Sequence, residues 1–79
     1  MNTKLNERIN ERIYIKNAIG SQTGLIGPVH HDGMTRTIFA QGPKSGKFFE
    51  IGEVNIQTGE IISGNDSDRN DCNTVVSKL

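Results

Sequence analysis

Residues 47 to 63 read Lys47-Phe48-Phe49-Glu50-Ile51-Gly52-Glu53-Val54-Asn55-Ile56-Gln57-Thr58-Gly59-Glu60-Ile61-Ile62-Ser63. Two runs rich in β-branched and aromatic residues flank Gln57-Thr58-Gly59, the pattern of an antiparallel hairpin. In the arriving strand Phe49 and Ile51 point one way. Gly52-Glu53 then shifts the alternation so that Val54 and Ile56 continue it, as one extra residue at a β-bulge does. A type I turn over Gln57-Thr58 would put Gly59 in the left-handed region, with Ile56 opposite Glu60 and Val54 opposite Ile62. The expected packed face is Val54, Ile56 and Ile62, which leaves Ile61 on the outside.

Outward from this hairpin, the order of signals predicts an α+β fold that is mostly antiparallel β. A short N-terminal helix leads into a small meander sheet or barrel of about 4–5 strands. Leu5, Ile9 and Ile13 recur at intervals of four through the tandem Asn6-Glu7-Arg8-Ile9 and Asn10-Glu11-Arg12-Ile13. With Thr3 as N-cap, that spacing gives a helix over about 3–11 running into a strand over 12–16. Residues 17–24 are small and polar around Ile19 and read as a loop. Leu25 to His31 form a strand with Pro28 inside it, so that strand is expected at an edge or broken there. Asp32-Gly33 signals a two-residue hairpin turn that pairs Val29 with Arg36, His30 with Thr35 and His31 with Met34. The returning strand, to Ala40, sets Ile38 and Met34 on the face opposite Phe39, Thr37 and Thr35. Gln41 to Gly46 is a second loop. Residues 64–73 are almost wholly polar, and 64–79 reads as a potentially flexible tail, with Val75-Val76 as a last short strand or a frayed end.

The 79 residues make one domain over 1–79. At that size roughly 60–65% of the unfolded surface is buried, which leaves stability marginal. Cys72 is the single cysteine, so no intramolecular disulfide can help. Ten isoleucines against three leucines favour pleated strands. The first residues hold no apolar run, and no 18 apolar residues follow one another, so the expected setting is soluble and cytoplasmic. Asn65-Asp66-Ser67, a glycosylation sequon in form, reads there as a plain polar loop. Net charge is zero, yet residues 1–48 carry seven basic and three acidic groups and 49–79 carry two and six. Such asymmetry can cancel in the fold or leave a dipolar surface that steers a partner.

Several segments approach a chemical motif without completing it. His30-His31-Asp32 is the one histidine cluster, a starting point for a metal-dependent enzyme, but adjacent strand residues face opposite ways and no other histidine exists. Asp66-x-Asp68-x-Asn70 begins like a calcium loop, yet Asp71 stands where glycine is needed and Ser77 where the bidentate glutamate belongs. Gly42-Pro43-Lys44-Ser45-Gly46-Lys47 has three residues between its glycines where a phosphate loop needs four, and Phe48 follows the lysine in place of a hydroxyl. Cys72 sits beside Asp71, which raises a thiol pKa, the reverse of activation. Glu50, Glu53 and Glu60 read as the outward side of a half-buried sheet.

The hairpin from about Phe49 to Ile62, with its Val54-Asn55-Ile56-Gln57-Thr58-Gly59-Glu60 core, resembles the terminal hairpins of PepSY-type domains. The likeness covers under a fifth of the chain, and those domains usually lie outside the cytoplasm, so no family is assigned on it. The expectation is a protein-binding module of the inhibitor, regulator or assembly-subunit type, without catalysis or cofactor, whose partner is another protein or a second copy in a homodimer. Tyr14, Arg36, Lys44, Lys47, Phe48 and Ile61 are the expected contact residues, because aromatics and arginine dominate interface energies. The alternative is a nucleic-acid-binding module using the basic 36–48 region with Lys16 and Phe48 or Phe49.

Overall fold

The computed structural model describes residues 3–79, without the Thr3 side chain, so the N-cap role expected of Thr3 lies outside the described atoms. Helix α1 (Thr3–Asn6) precedes strands β1 (Ile13–Ile19), β2 (Gln22–Val29), β3 (Thr35–Gln41), β4 (Phe48–Asn55) and β5 (Ile61–Ile62), and helix α2 (Asp66–Ser77) follows. The strands form one antiparallel sheet in the order β1-β2-β3-β4-β5, an open meander and not a closed barrel. The mostly antiparallel class is therefore as the sequence predicts, while several elements differ in extent.

The N-terminal helix is one turn long, and the reason lies in its carbonyls. A helix over 3–11 would give the Leu5 and Glu7 carbonyls to the amides of Ile9 and Glu11. Instead both accept from the Arg36 guanidinium. The chain turns at Arg8, whose φ of 51° is left-handed, and Glu11 N–H donates to Arg8 O. Residues 17–24, expected as a loop, mostly continue the sheet. β1 carries an irregularity between Ile15 and Ile19, with Asn17 at φ 53°, and turns into β2 through Gly20 at φ 58°.

Strand β2 is interior, not an edge. Pro28 is tolerated because the β2–β3 register shifts between Ile26 and Val29, so the missing donor falls at a bulge. Val29 pairs with Arg36 as expected, and His30 N–H donates to Thr35 O. The turn is wider than two residues: Gly33 N–H donates to His30 O, and the Asp32 carboxylate accepts from the amides of Met34 and Thr35.

The bulge in β4 is present one residue early, with Ile38 opposite Gly52 and Phe39 opposite Glu50. The following turn also holds one more residue than predicted. Asn55 pairs with Glu60, and Val54 lies opposite Ile61. Asn55 Oδ1 accepts the amides of Gln57 and Thr58, and Gly59 takes φ 77°. Because side chains alternate along a strand, this one-residue slip exchanges faces in β5. Ile61 is packed into the core at 8% exposure, and Ile62 stands outside at 50%.

The polar segment 64–79, expected as loop and tail, holds α2. Asn65 caps it by accepting from Asp68 N–H while its Nδ2 donates back to the Asp68 carboxylate. This reciprocal pair resembles a capping box. Cys72 and Val75 face the sheet. The helix docks closely: a Cβ on Gly24 would lie 2.7 Å from Val75 Cγ2, and one on Gly52 2.8 Å from Cys72 Sγ. One sheet face is thus covered by α2 and α1, with Leu5, Ile26, Ile38, Val54 and Val75 fully buried between them.

Candidate functional site

The opposite face of the sheet carries Tyr14, Leu25, Phe39 and Glu50 in one row across β1 to β4 by strand pairing. Phe48 lies two residues along β4 from Glu50, on the same side. No described helix covers this side, yet Leu25 is 4% exposed. The Tyr14 and Phe48 rings meet edge to face with centroids 5.8 Å apart. β1 and β4 are three strand spacings apart, about 14 Å in a flat sheet, more than two rings can bridge while keeping that separation. The sheet therefore curls toward this face, which brings the two rings together across β2 and β3. Phe39 leans over Gly27, where an added Cβ would lie 3.5 Å from Phe39 Cε2. Tyr14 is still 59% exposed, which leaves a shallow aromatic surface with a small apolar centre beneath it.

Of the six expected contact residues, Tyr14 and Phe48 come together here. Lys47 precedes Phe48 and is exposed, as is Lys44 in the β3–β4 loop. That loop is held by Gly42 N–H to Lys47 O and by Gln41 Nε2 to Gly46 O. Ile61 and Arg36 lie elsewhere. Ile61 is in the core through the register slip described above. Arg36 is fully buried on the helix-covered face and is a structural clamp, not a surface cation. Its Nε donates to Gly27 O at 2.6 Å, Nη1 to the carbonyls of Leu5 and Glu7 at 3.2 Å each, and Nη2 to Glu11 O at 2.6 Å. Burial lowers its pKa. The basic 36–48 region thus contributes Lys44 and Lys47, but not Arg36, to any surface.

The histidine cluster is engaged in holding its own hairpin. His30 Nδ1 lies 2.8 Å from Thr35 Oγ1 and Nε2 2.7 Å from Thr37 Oγ1. Thr35 Oγ1 also donates to Asp32 Oδ2 at 3.1 Å. This order suits the tautomer in which Nδ1–H donates to Thr35 and Nε2 accepts from the Thr37 hydroxyl. The Asp32 carboxyl is held below its ordinary value of 3.8, first by the Met34 amide. With both ring nitrogens occupied, His30 offers no free lone pair to an ion. Among the described residues no group of three or more His, Cys, Asp and Glu side chains is placed to hold a metal.

Asp66 and Asp68, read in the sequence as the start of a calcium-like loop, lie in the first turn of α2, where acidic groups face the positive end of the helix dipole. Cys72 is buried, and burial, followed by Asp68 and Asp71, pushes its thiol up to about 11. Such a thiol is a packing group. Sequence reasoning missed the structural role of Arg36, although its side is legible: it alternates with Thr35 and Thr37 and falls in line with Ile38 and Ala40.

Among the described residues no helix is long and apolar enough to cross a membrane. Compared with known proteins, the chain matches no family model, no curated protein and no solved structure.

Proposed function

We propose that the protein is a small binding module without catalytic activity of its own, of the inhibitor, regulator or assembly-subunit kind, and that it engages another protein through the helix-free face of its sheet. The observation that carries this reading is the Tyr14–Phe48 ring pair on a face that no described helix covers. An exposed tyrosine packed on a half-buried phenylalanine over a small apolar centre is a usual kind of anchor at protein interfaces. Lys44 in the β3–β4 loop and Lys47 just before β4 are exposed and supply polar groups at that end of the sheet. A single buried thiol suits a reducing, cytoplasmic setting.

The test is affinity capture from host lysate at moderate salt with nuclease present, run in parallel for the wild type and for Tyr14→Ser with Phe48→Ser. A stoichiometric protein held by the wild type and lost from the variant supports the reading. An unchanged set of captured proteins overturns it.

A second reading rests on a specific placement. Lys16 follows Tyr14 by two residues, on the same side of β1, and borders the same surface depression as Tyr14, so a cation flanks a stacking surface of the sort that binds single-stranded nucleic acid. Salt separates the two readings. Phosphate binding weakens steeply as salt rises, and an apolar protein contact does not.

A further inference from the structure

The uneven charge of the sequence survives folding because the meander keeps the order of the chain. The two edges of the sheet differ in sign. Along the outer edge of β1 runs a depression of about 380 Å³ bordered by Ile13 to Lys16, by Lys4, Glu7 and Arg8 of the N-terminal segment, and by Lys78 and Leu79 beyond α2. Arg8 pairs with Glu11, and Lys78 Nζ donates to Asn17 O at 2.9 Å, which fixes that cation at the edge. Lysines and arginine outnumber glutamate here.

At the other edge β5 pairs only with Glu53 and Val54. The outer side of β4 from Phe48 to Ile51 therefore has no strand partner among the described residues, while Gly52 lies against Ile62 and Ser63. Beside it lies a notch of about 310 Å³ bordered by Glu50, Glu53, Asp68 and Ile62. Glu60 and Asp66 flank it in the chain. Helix α2 reinforces the division: Asp68 borders this notch at its start, while Lys78, after its end, reaches β1.

Both edges also expose apolar side chains. Ile9 and Tyr14 stand out on the β1 side, and Phe49 and Ile62 on the β4–β5 side. Unpaired backbone, exposed apolar groups and opposite charge are the three ingredients of strand-edge association, and each edge supplies what the other lacks.

From this complementarity we infer that the chain associates with itself head to tail, the basic β1 edge of one copy docking on the acidic β4–β5 edge of the next. Such a contact is heterologous, so it leaves one edge of each terminal copy open and builds short chains or a ring instead of stopping at a two-fold dimer. The two edges border the helix-free face, whose row ends in Tyr14 and Glu50, but this contact is read by self-association and not by capture of another protein, so either reading can fail without the other.

Sedimentation velocity of the full chain from micromolar to millimolar concentration, at low and high salt, tests the inference. The expected result is an average mass that climbs with concentration at low salt and an association constant about tenfold weaker at high salt. Two charge-reversed forms identify the contact: Lys16→Glu with Lys78→Glu makes both edges acidic, and Glu50→Lys with Glu53→Lys nearly cancels the acidic charge of the β4–β5 edge. These are surface positions, and circular dichroism checks that each form folds. Each alone should stay monomeric, and an equal mixture should assemble again. A wild type that is monomeric throughout overturns the inference. So does self-association of the Glu50→Lys, Glu53→Lys form alone, which would mean a symmetric β1-to-β1 contact. A partner protein that binds one edge while the chain never binds itself would also overturn it.

Discussion

At the scale of single residues, Arg36 organises more of the molecule than any other side chain. Its planar fork presents donors in directions that match the carbonyls of Gly27, Leu5, Glu7 and Glu11, so a buried charge is satisfied by backbone dipoles from two separate segments. Replacing it with methionine removes the donors and leaves those carbonyls with no partner. Replacing it with lysine keeps a charge but supplies a single nitrogen that cannot span the set. Both Arg36→Met and Arg36→Lys should cost about 3 kcal/mol in denaturant unfolding, with lysine rescuing little. Amide exchange in residues 5–11 should accelerate along with the loss. Equal stability of Arg36→Lys and wild type would show that charge, not fork geometry, holds the N-terminal segment.

Cys72 provides the pH-dependent counterpart. Its folded pKa of about 11 lies above the ordinary 9.0, so the unfolded chain releases the thiol proton first. The contribution is fully present below pH 9.0 and is lost as pH rises through the folded value. Stability of the wild type should therefore fall across that window more steeply than that of Cys72→Ala, as read by thermal melts at stepped pH. Parallel pH profiles for the two proteins would contradict the assignment.

At the scale of elements, α2 shows what a sequence reading loses when periodicity is weak. Only Cys72 and Val75 of its twelve residues are buried, too few to draw an apolar stripe through a polar run. Its start was nonetheless written locally, in Asn65 with Asp68 three residues on. Asn65→Ala should cost about 1 kcal/mol, measured by urea unfolding, because the Asp68 amide then loses its acceptor. A neutral effect would mean that water replaces the cap. The docking of the same helix is tested at Gly24, where an added methyl meets Val75 and Ala18. Gly24→Ala should destabilise by about 1–3 kcal/mol, and a second change, Val75→Ala, should add less than its own separate cost, since it removes the closer clash.

The hairpins were legible in kind but not to the residue. Asp32 and Asn55 both fold their side chains back to cap the amides that follow, and this chemistry widens each turn beyond the length read from Asp-Gly and Thr-Gly alone. In the second hairpin that single residue exchanged Ile61 for Ile62 between core and surface. Strand β3 was read on its correct faces because it alternates without interruption. The N-terminal helix was overextended for another reason. Nothing in the spacing of Leu5, Ile9 and Ile13 reveals that a distant arginine will claim their segment's carbonyls.

At the scale of the whole molecule, the open meander has two faces with different means of burial. One is covered by helices, and the other covers itself by curling until Tyr14 and Phe48 meet. Three register shifts, in β1, β2 and β4, accompany that curl, and the one in β4 is signalled in the sequence by Gly52-Glu53. Both aromatics were expected at a contact surface, and their proximity is a tertiary fact. Tyr14 is the single tyrosine of a chain without tryptophan, so its fluorescence reports this face alone. Phe48→Ala removes one ring of that pair. The expected cost is about 1 kcal/mol beyond the loss of buried area, because an edge-to-face pair is broken as well. Tyr14 emission should become more accessible to a neutral quencher, and the Leu25 methyl resonances should shift. If quenching and stability both stayed as in the wild type, the sheet would hold its curl through the bulges alone. Phe48 would then be free to leave Tyr14 for a partner at no structural expense.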